Sequence, residues 1–402
     1  MEESPRYTSD SYIPFPSDGN LKKSNSKNYH RGRGGKNLMQ TSSSENFTAI
    51  PWKKLAQYSC GVVGLHEEIC DFFETMRPTE QETEIRLKVV EHITKIVHSL
   101  WPQAKVEIFG SFRTGLYLPS GDIDMVIIGE WRNLPLSTLS KALESNGIKS
   151  SDINIIASAT VPIVRVLHTP SKIKVDISFN LTNGVKGAKM LKGLMKQYPA
   201  LPKLVLVLKQ YLVQRGLNEV YNGGMSSYCL TLLIVSFLQG YHKPKCEPSS
   251  NLGTLLIEFF ELYGINFNYE KVSIHFQDGG NYQPKARGTG TLLSVEDPCN
   301  QGNDVAKGTY LMHLLKMSFQ NAFLVLHKAV TDSAAVKRSP YSFLQLILKI
   351  DDEVLREREW RSRSYHSIMS SLSLISLSDP TAKQSSSSVT SSPNYSKKKK
   401  TR

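Results

Sequence analysis

The 402-residue sequence predicts an α/β domain built on a small mixed sheet, then a mostly α-helical domain, with disordered segments at both ends. Three observations predict it. Short apolar strand patterns at 105–109, 122–128, 161–167 and 172–179 are interleaved with helical ones. After Asn183-Gly184 the apolar period turns helical. Residues 1–48 are rich in Ser, Asn, Gly and Lys with few aliphatic residues, and 366–402 are Ser-rich and close on a lysine run; neither can bury enough apolar surface to offset chain entropy.

In chain order, Arg86 to Leu100 carries Val89, Val90, Ile93, Ile96, Val97 and Leu100 at three- and four-residue spacing, an amphipathic helix stopped by Trp101-Pro102. Lys105-Val-Glu-Ile-Phe109 is a short strand leading into Gly110-Ser111, which opens a further helix. Asp122 to Ile128 is the next strand, Ser137 to Asn146 a helix ended by Gly147, and Val161 to Leu167 another strand. In Lys172-Ile-Lys-Val-Asp-Ile-Ser-Phe179, Ile173, Val175, Ile177 and Phe179 alternate with polar residues, so Asp176 projects from the face opposite the core. Helical patterns then cover Leu201–Gln214, Ser227–Gln239, Leu252–Leu262, Tyr310–Val330 and Ser342–Arg363.

The chemistry concentrates in the first of these domains. Asp122 and Asp124 point to one side of their strand, roughly 7 Å apart at Cα for a rise of about 3.3 Å per residue. Two carboxylates so placed repel unless a cation lies between them, and a divalent metal is the usual answer. Gly110 and Ser111 offer backbone N–H groups and a hydroxyl at a helix start, which suits an anion. Metal, phosphate and paired acids together describe phosphoryl transfer from a nucleoside triphosphate. Asp176 supplies the third acid that such a site needs to complete the metal set and take a proton. One Asp at a strand end, or one Gly-Ser pair, is ordinarily only a turn; the combination is what signals a site. Lys209, which directly follows the apolar run Leu204–Leu208, is costly to bury unless it meets an anion or snorkels to water.

These motifs resemble those of the DNA polymerase β-like nucleotidyltransferase superfamily: Gly-Ser, then Asp-x-Asp, then a later Asp. The string Gly110-Ser-Phe-Arg-Thr-Gly-Leu-Tyr-Leu-Pro-Ser-Gly-Asp-Ile-Asp124 is similar to one branch, the nuclear noncanonical poly(A) polymerases that serve as catalytic subunits of TRAMP-type RNA surveillance complexes. Leu206–Leu212, Arg215–Tyr221 and Gly223–Tyr228 resemble that branch's central domain. Leu292–Pro298 with Gly302–Val305 resembles its nucleotide recognition motif, and Lys349–Val354 through Trp360 its closing helix. Together these cover about residues 51 to 360.

The resemblance implies a catalytic palm over 85–183, a helical central domain over 184–365 carrying the recognition loop, and a lead-in over 49–84 that packs on the central domain. The active site would be the cleft between palm and central domain. It also implies two Mg²⁺ ions, with Mn²⁺ as an alternative, on Asp122, Asp124 and Asp176; Asp176 would take the proton from the RNA 3′-hydroxyl. Gly110, Ser111 and Lys209 would contact the triphosphate, with Ser227 and Tyr228 on the nucleotide and the tyrosine ring stacking on the base. Asn183 would touch the ribose 2′-hydroxyl, with Asn180 as competitor, and Asp297, Asn303 and Asp304 would serve base recognition. Uridylyl-transferring relatives carry a histidine six residues after the Asp-Pro aspartate, where this chain has Asn303. Ala306-Lys307-Gly308 departs from the branch's more usual Gly-Arg-Ser.

The expected reaction is template-independent addition of AMP from ATP to RNA 3′ ends, in nuclear or nucleolar RNA surveillance or 3′-end processing. The alternatives are a terminal uridylyltransferase, an inactive RNA- or protein-binding scaffold, and nucleotidyl transfer to a small molecule. The net charge of +13 suits a polyanionic partner, although six basic residues and no acid fall within 381–402. That lysine run reads as a solvated end, an import signal or an RNA contact. Cys60, Cys70, Cys229, Cys246 and Cys299 show no metal-ligand spacing, so free thiols in a reducing compartment are expected, without a built-in zinc knuckle. RNA affinity should then come partly from partners, which the resemblance gives as a zinc-knuckle protein and an RNA helicase. No apolar run reaches the ~18 residues of a membrane span, and a soluble intracellular protein is expected.

Overall fold

The computed structural model describes residues 50–55, 57–158, 161–241, 251–276, 280–285, 292–331 and 342–377. The N-terminal segment and the terminal lysine run lie outside them, as do Arg287 and several glycines of the loop before Leu292.

The elements are α1 (Gly61–Met76), α2 (Glu80–Leu100), β1 (Lys105–Phe109), α3 (Gly110–Thr114), β2 (Ile123–Ile128) and α4 (Leu136–Ser145). They continue as β3 (Ile153–Ile156), β4 (Ile163–His168), β5 (Ile173–Phe179), α5 (Thr182–Gln197), α6 (Leu201–Val213), α7 (Ser227–Tyr241) and α8 (Leu252–Glu261). β6 (Val272–His275), β7 (Asn281–Pro284), α9 (Met312–Thr331), α10 (Asp352–Arg363) and α11 (Tyr365–Leu377) complete them. Two compact units result. Of the described residues, one draws on 50–78, Phe109–Gly121 and Thr182–Leu355; the other on Thr79–Ile108, Asp122–Leu181 and 356–377.

The second unit, which corresponds to the expected palm, is built around a five-stranded sheet of order β1-β2-β5-β4-β3. β2 and β5 run parallel, whereas β5–β4 and β4–β3 are antiparallel, which makes the sheet mixed. Ile123, Met125, Ile127, Val164, Val175 and Ile177 are fully buried, as alternation along the strands requires, and Val126 is buried on the other face of β2 as well. α2 begins at Glu80, ahead of the expected start at Arg86, because Thr79 and Glu82 form a reciprocal capping box. Trp101, Trp131 and Phe179 pack edge to face beside the sheet. β3 has no counterpart in the strand patterns: its sequence Ile-Asn-Ile-Ile is short, and only pairing with β4 sets it.

α11 corrects the expected tail. Residues 366–377 are helical and pack on α2, with Ile368 and Leu372 buried and the Tyr365 hydroxyl on Glu84. The Ile368/Leu372 pair has the four-residue spacing of a helix face, which the surrounding serines obscure. Most of α10 also belongs with the palm rather than with 184–365, and Arg358 there bonds Glu82 at 2.9 Å.

The first unit is mostly α-helical. α1, α6, α7, α8 and α9 enclose a core of Leu65, Phe72, Leu204, Tyr211, Leu233, Phe259, Phe260 and Phe319. The single helix expected over Ser342–Arg363 is instead a short 3-10 turn at Leu344–Leu346, an extended link and α10. Buried Glu68 causes the break: it accepts from Ser342 Oγ, from the Leu344 N–H at 3.0 Å and from Trp52 Nε1 at 2.9 Å. Asp351 then restarts the helix by capping the Glu353 N–H at 2.9 Å. β6 pairs antiparallel with β7 and forms a bridge from Ile274 to Val295.

Candidate active site

In the palm, Asp122 directly precedes β2 and Asp124 is its second residue. Asp124 lies in register with Asp176 on the parallel neighbour β5. Adjacent strands sit about 4.8 Å apart, so the two carboxylates leave the sheet side by side. All three residues are partly exposed, with Val126 and Ile177 buried beneath them. Arg86 Nη1 donates to the Asp122 carbonyl at 3.3 Å and fixes the approach to β2. One partner was not anticipated. Arg165 of β4, opposite Asp176 in register, donates from Nε to Oδ1 at 2.7 Å and from Nη2 to Oδ2 at 2.6 Å. Its signal was the lone charge in Ile-Val-Arg-Val-Leu, on the same face as Asp176.

Among the described residues no three His, Cys, Asp or Glu side chains close into a metal-ligand cluster. The donor set still suits a hard divalent cation. A carboxylate has about four lone-pair positions, and Arg165 uses two of those on Asp176.

The helical unit holds the other candidate residues. Gly110 has φ +62°, a left-handed conformation that a side chain would strain, and Ser111 follows at the start of α3. α3 packs against α5, and a Cβ at Gly184 would come within 2.6 Å of the Phe109 ring. Lys209, half-buried on α6, donates to the Leu116 carbonyl at 2.9 Å. That contact holds its ammonium beside the segment that follows Gly110-Ser111.

Tyr228, Asp297 and Asn303 come together around one buried carboxylate. Asp297 is 6 % exposed. It accepts from Tyr228 Oη at 3.0 Å, from the Cys299 N–H at 2.9 Å and from Asn303 Nδ2 at 3.2 Å. Burial, with Asp297 beside it, pushes the Tyr228 hydroxyl well up, so it remains a donor. The Tyr228 ring lies against α5, where a Cβ at Gly187 would meet it at 3.3 Å. An ionised Asp297 only accepts, which turns the Asn303 amide nitrogen toward it; Asn303 itself is exposed.

Asp304 spends Oδ1 on the N–H groups of Val295 and Ala306, at 3.0 and 2.8 Å, so it shapes the loop. The helix cap before α7 is Ser226, whose hydroxyl accepts from the Cys229 N–H at 3.1 Å, while Ser227 is exposed. Asn180 sits at φ +56° with Oδ1 on the Gly129 N–H at 3.0 Å, a structural turn at the end of β5. Asn183 lies in the first turn of α5, partly exposed.

Comparison with known proteins gives two family matches: "Poly(A) RNA polymerase, mitochondrial-like, central palm domain" over residues 65–196, and "Cid1 family poly A polymerase" over 251–303. The poly(A) RNA polymerase CID14 of Cryptococcus neoformans is 37% identical over 329 residues, which are 78% of this chain and 43% of that protein. The inactive non-canonical poly(A) RNA polymerase protein Trf4-2 of Drosophila melanogaster is 37% identical over 310 residues, covering 74% of this chain and 76% of that one. The solved polymerase core of TRAMP, a RNA surveillance complex, is 33% identical with a TM-score of 0.63, covering 71% of this chain and 94% of that chain. The chain spans half or less of the length of most curated relatives it matches.

Proposed function

The chain belongs to the noncanonical poly(A) RNA polymerase family, and we propose that it adds AMP from ATP to RNA 3′ ends without a template. The observation that carries this reading is the register pairing of Asp124 with Asp176, with Asp122 two residues before Asp124. Asp122, Asp124 and Asp176 would hold Mg²⁺, which supplies charge neutralisation for the triphosphate and the leaving pyrophosphate. Asp176, kept in place by Arg165, accepts the 3′-hydroxyl proton as that oxygen attacks the α-phosphorus. The backbone at Gly110, the Ser111 hydroxyl and the Lys209 ammonium take the phosphate oxygens. The Tyr228 ring stacks on the base, and Asn183 meets the ribose hydroxyl.

Asn303 accounts for adenine over uracil. With one N–H drawn to Asp297, its Oδ1 is left to accept from the exocyclic amine of adenine, and no histidine crowds the purine. The likeness to the polymerase core of TRAMP, a RNA surveillance complex, supports a role in RNA surveillance; the nuclear setting and the zinc-knuckle and RNA-helicase partners belong to this reading as what the sequence resemblance implies.

A second reading is an inactive RNA- or protein-binding scaffold, which the fly relative favours by its description as inactive. One experiment separates the two. The full chain, a labelled oligo(A) primer, ATP and Mg²⁺ should give extended product, and Asp122→Ala/Asp124→Ala should give none while keeping its fold. Failure of the wild-type chain to extend the primer selects the scaffold; equal extension by the double variant removes these carboxylates from the chemistry.

A further inference from the structure

α5 is an amphipathic helix with an unusual polar side. Gly187, Ala188 and Leu191 are buried, and Met190, Leu194 and Met195 pack on the core. Lys186, Lys189, Lys192 and Lys196 are all exposed, at spacings of three, three and four. Those spacings put them in one row on the solvent side, about 15 Å long at 1.5 Å per residue. Among the described helices only α5 has four lysines and no acid. Elsewhere helix charges are compensated: Glu91 pairs with Lys88 at 2.8 Å and Lys95 at 3.2 Å, and Glu357 with Arg361 at 3.2 Å. Like charges three and four residues apart repel, and α5 also carries helix-weakening Gly184, Gly187 and Gly193. An uncompensated row on such a helix fits an anionic partner laid along it.

The row starts at the candidate nucleotide site. Asn183 lies in the first turn of α5 and Gly187 backs the Tyr228 ring. Burial and Asp297 raise the Cys299 thiol, while the Lys186 charge opposes them, so Lys186 stands near the loop that holds Asn303. Lys189, Lys192 and Lys196 continue away from that end.

We propose that this lysine row is a track for the phosphodiester backbone of single-stranded RNA behind its 3′ end. The inference rests on the RNA-tailing reading and adds where this chain grips its substrate. A membrane surface is disfavoured because the apolar face of α5 is already spent in the core. Lysines, as mobile point charges without base-reading geometry, suit binding that ignores sequence.

The test is equilibrium binding of a labelled oligo(A) to the full chain by fluorescence anisotropy, without ATP or metal, at salt from about 0.05 to 0.2 M. Binding then reports on the track even if no tailing occurs. Lys189→Gln/Lys192→Gln/Lys196→Gln keeps helix propensity and spares Lys186. It should bind about tenfold or more weakly at the low-salt end, with the slope of log K against log salt shallower by about 2, for three contacts at about 0.7 each. The KM for ATP at saturating primer should stay at the wild-type value. Arg132→Gln/Lys141→Gln/Lys149→Gln removes equal charge from the palm surface and should change little. Unchanged affinity and slope in the α5 variant would overturn the proposal. So would an equal loss in the control variant, or displacement of the oligonucleotide by polyglutamate as readily as by unlabelled oligo(A), which would mark a site for acidic protein.

Discussion

Arg165 grips Asp176 across the antiparallel pair β4–β5 with two parallel hydrogen bonds, at 2.7 and 2.6 Å, beside Asp124 in register on β2. The guanidinium fixes both carboxylate oxygens in the sheet's plane of approach, which a single lysine amine cannot do. Arg165 is therefore a positioning residue for the candidate proton acceptor. Arg165→Met should lower kcat for tailing by about 10–100-fold, the usual cost of losing a group that orients a metal ligand. The KM for ATP should move little, and Arg165→Lys should recover only part of the rate. A wild-type kcat in Arg165→Met would remove this role.

Asp297 links the residue placed under the base to the residue placed at its edge. Tyr228→Phe removes one of its donors and should cost about 1 kcal/mol of stability, with a higher KM for ATP and a near-normal kcat. Asp297→Ala frees Tyr228 and Asn303 together and should cost more, about 1–3 kcal/mol, and also blunt discrimination between ATP and UTP. Because both changes break the same contact, the double variant should lose less than the two losses added. Thermal midpoints and single-nucleotide kinetics on the four proteins check this; strict additivity would contradict it.

The faces of the three aspartates were legible because their signal is local: residues two apart on a strand share a face, which pairs Asp122 with Asp124, and polar-apolar alternation along β5 puts Asp176 opposite its apolar side. The clamp on Asp176 was not, since Arg165 belongs to a strand that only sheet pairing brings alongside. The recognition loop hid its logic for the same reason. Asp297 and Asp304 look equivalent in sequence, yet one is a buried acceptor for Tyr228 and Asn303, while the other binds backbone N–H groups within its own turn. α5 escaped notice behind three glycines, and α11 behind serines, because composition masks a stripe that packing makes plain. The break after Ser342 depends on Glu68, nearly three hundred residues earlier.

In the palm, His92 Nδ1 meets His168 Nε2 at 3.3 Å, and His168 Nδ1 meets Ser171 Oγ at 2.9 Å, all within the buried contact of α2 with the end of β4. Burial, with His92 adjacent, pushes His168 down to about 4; burial and the Lys95 charge lower His92 as well. Above pH ~6.5 neither folded nor unfolded chain carries the proton, and the contact is fully stabilising. As pH falls from about 6.5 to 4 the unfolded chain takes up protons that the folded chain refuses, so stability drops, on the order of 3 kcal/mol for His168. Thermal midpoints measured across that range should fall with acid, and His168→Gln should flatten the decline. A profile unchanged by His168→Gln would contradict the assignment.

The proposed base choice rests on the Asn303 amide, whose nitrogen faces Asp297 and whose oxygen would accept from an exocyclic amine. The decisive measurement offers ATP, UTP, GTP and CTP separately, at equal concentration, to the full chain with Mg²⁺ and a labelled oligo(A) primer. Single-nucleotide addition rates are compared for wild type and Asn303→His. The account predicts that ATP is incorporated fastest, by the roughly 5- to 150-fold that 1–3 kcal/mol confers, with GTP a minor substrate, and that Asn303→His shifts the preference toward UTP. Incorporation of UTP at least as fast as ATP by the wild-type chain would contradict adenylyl transfer and make the protein a uridylyltransferase.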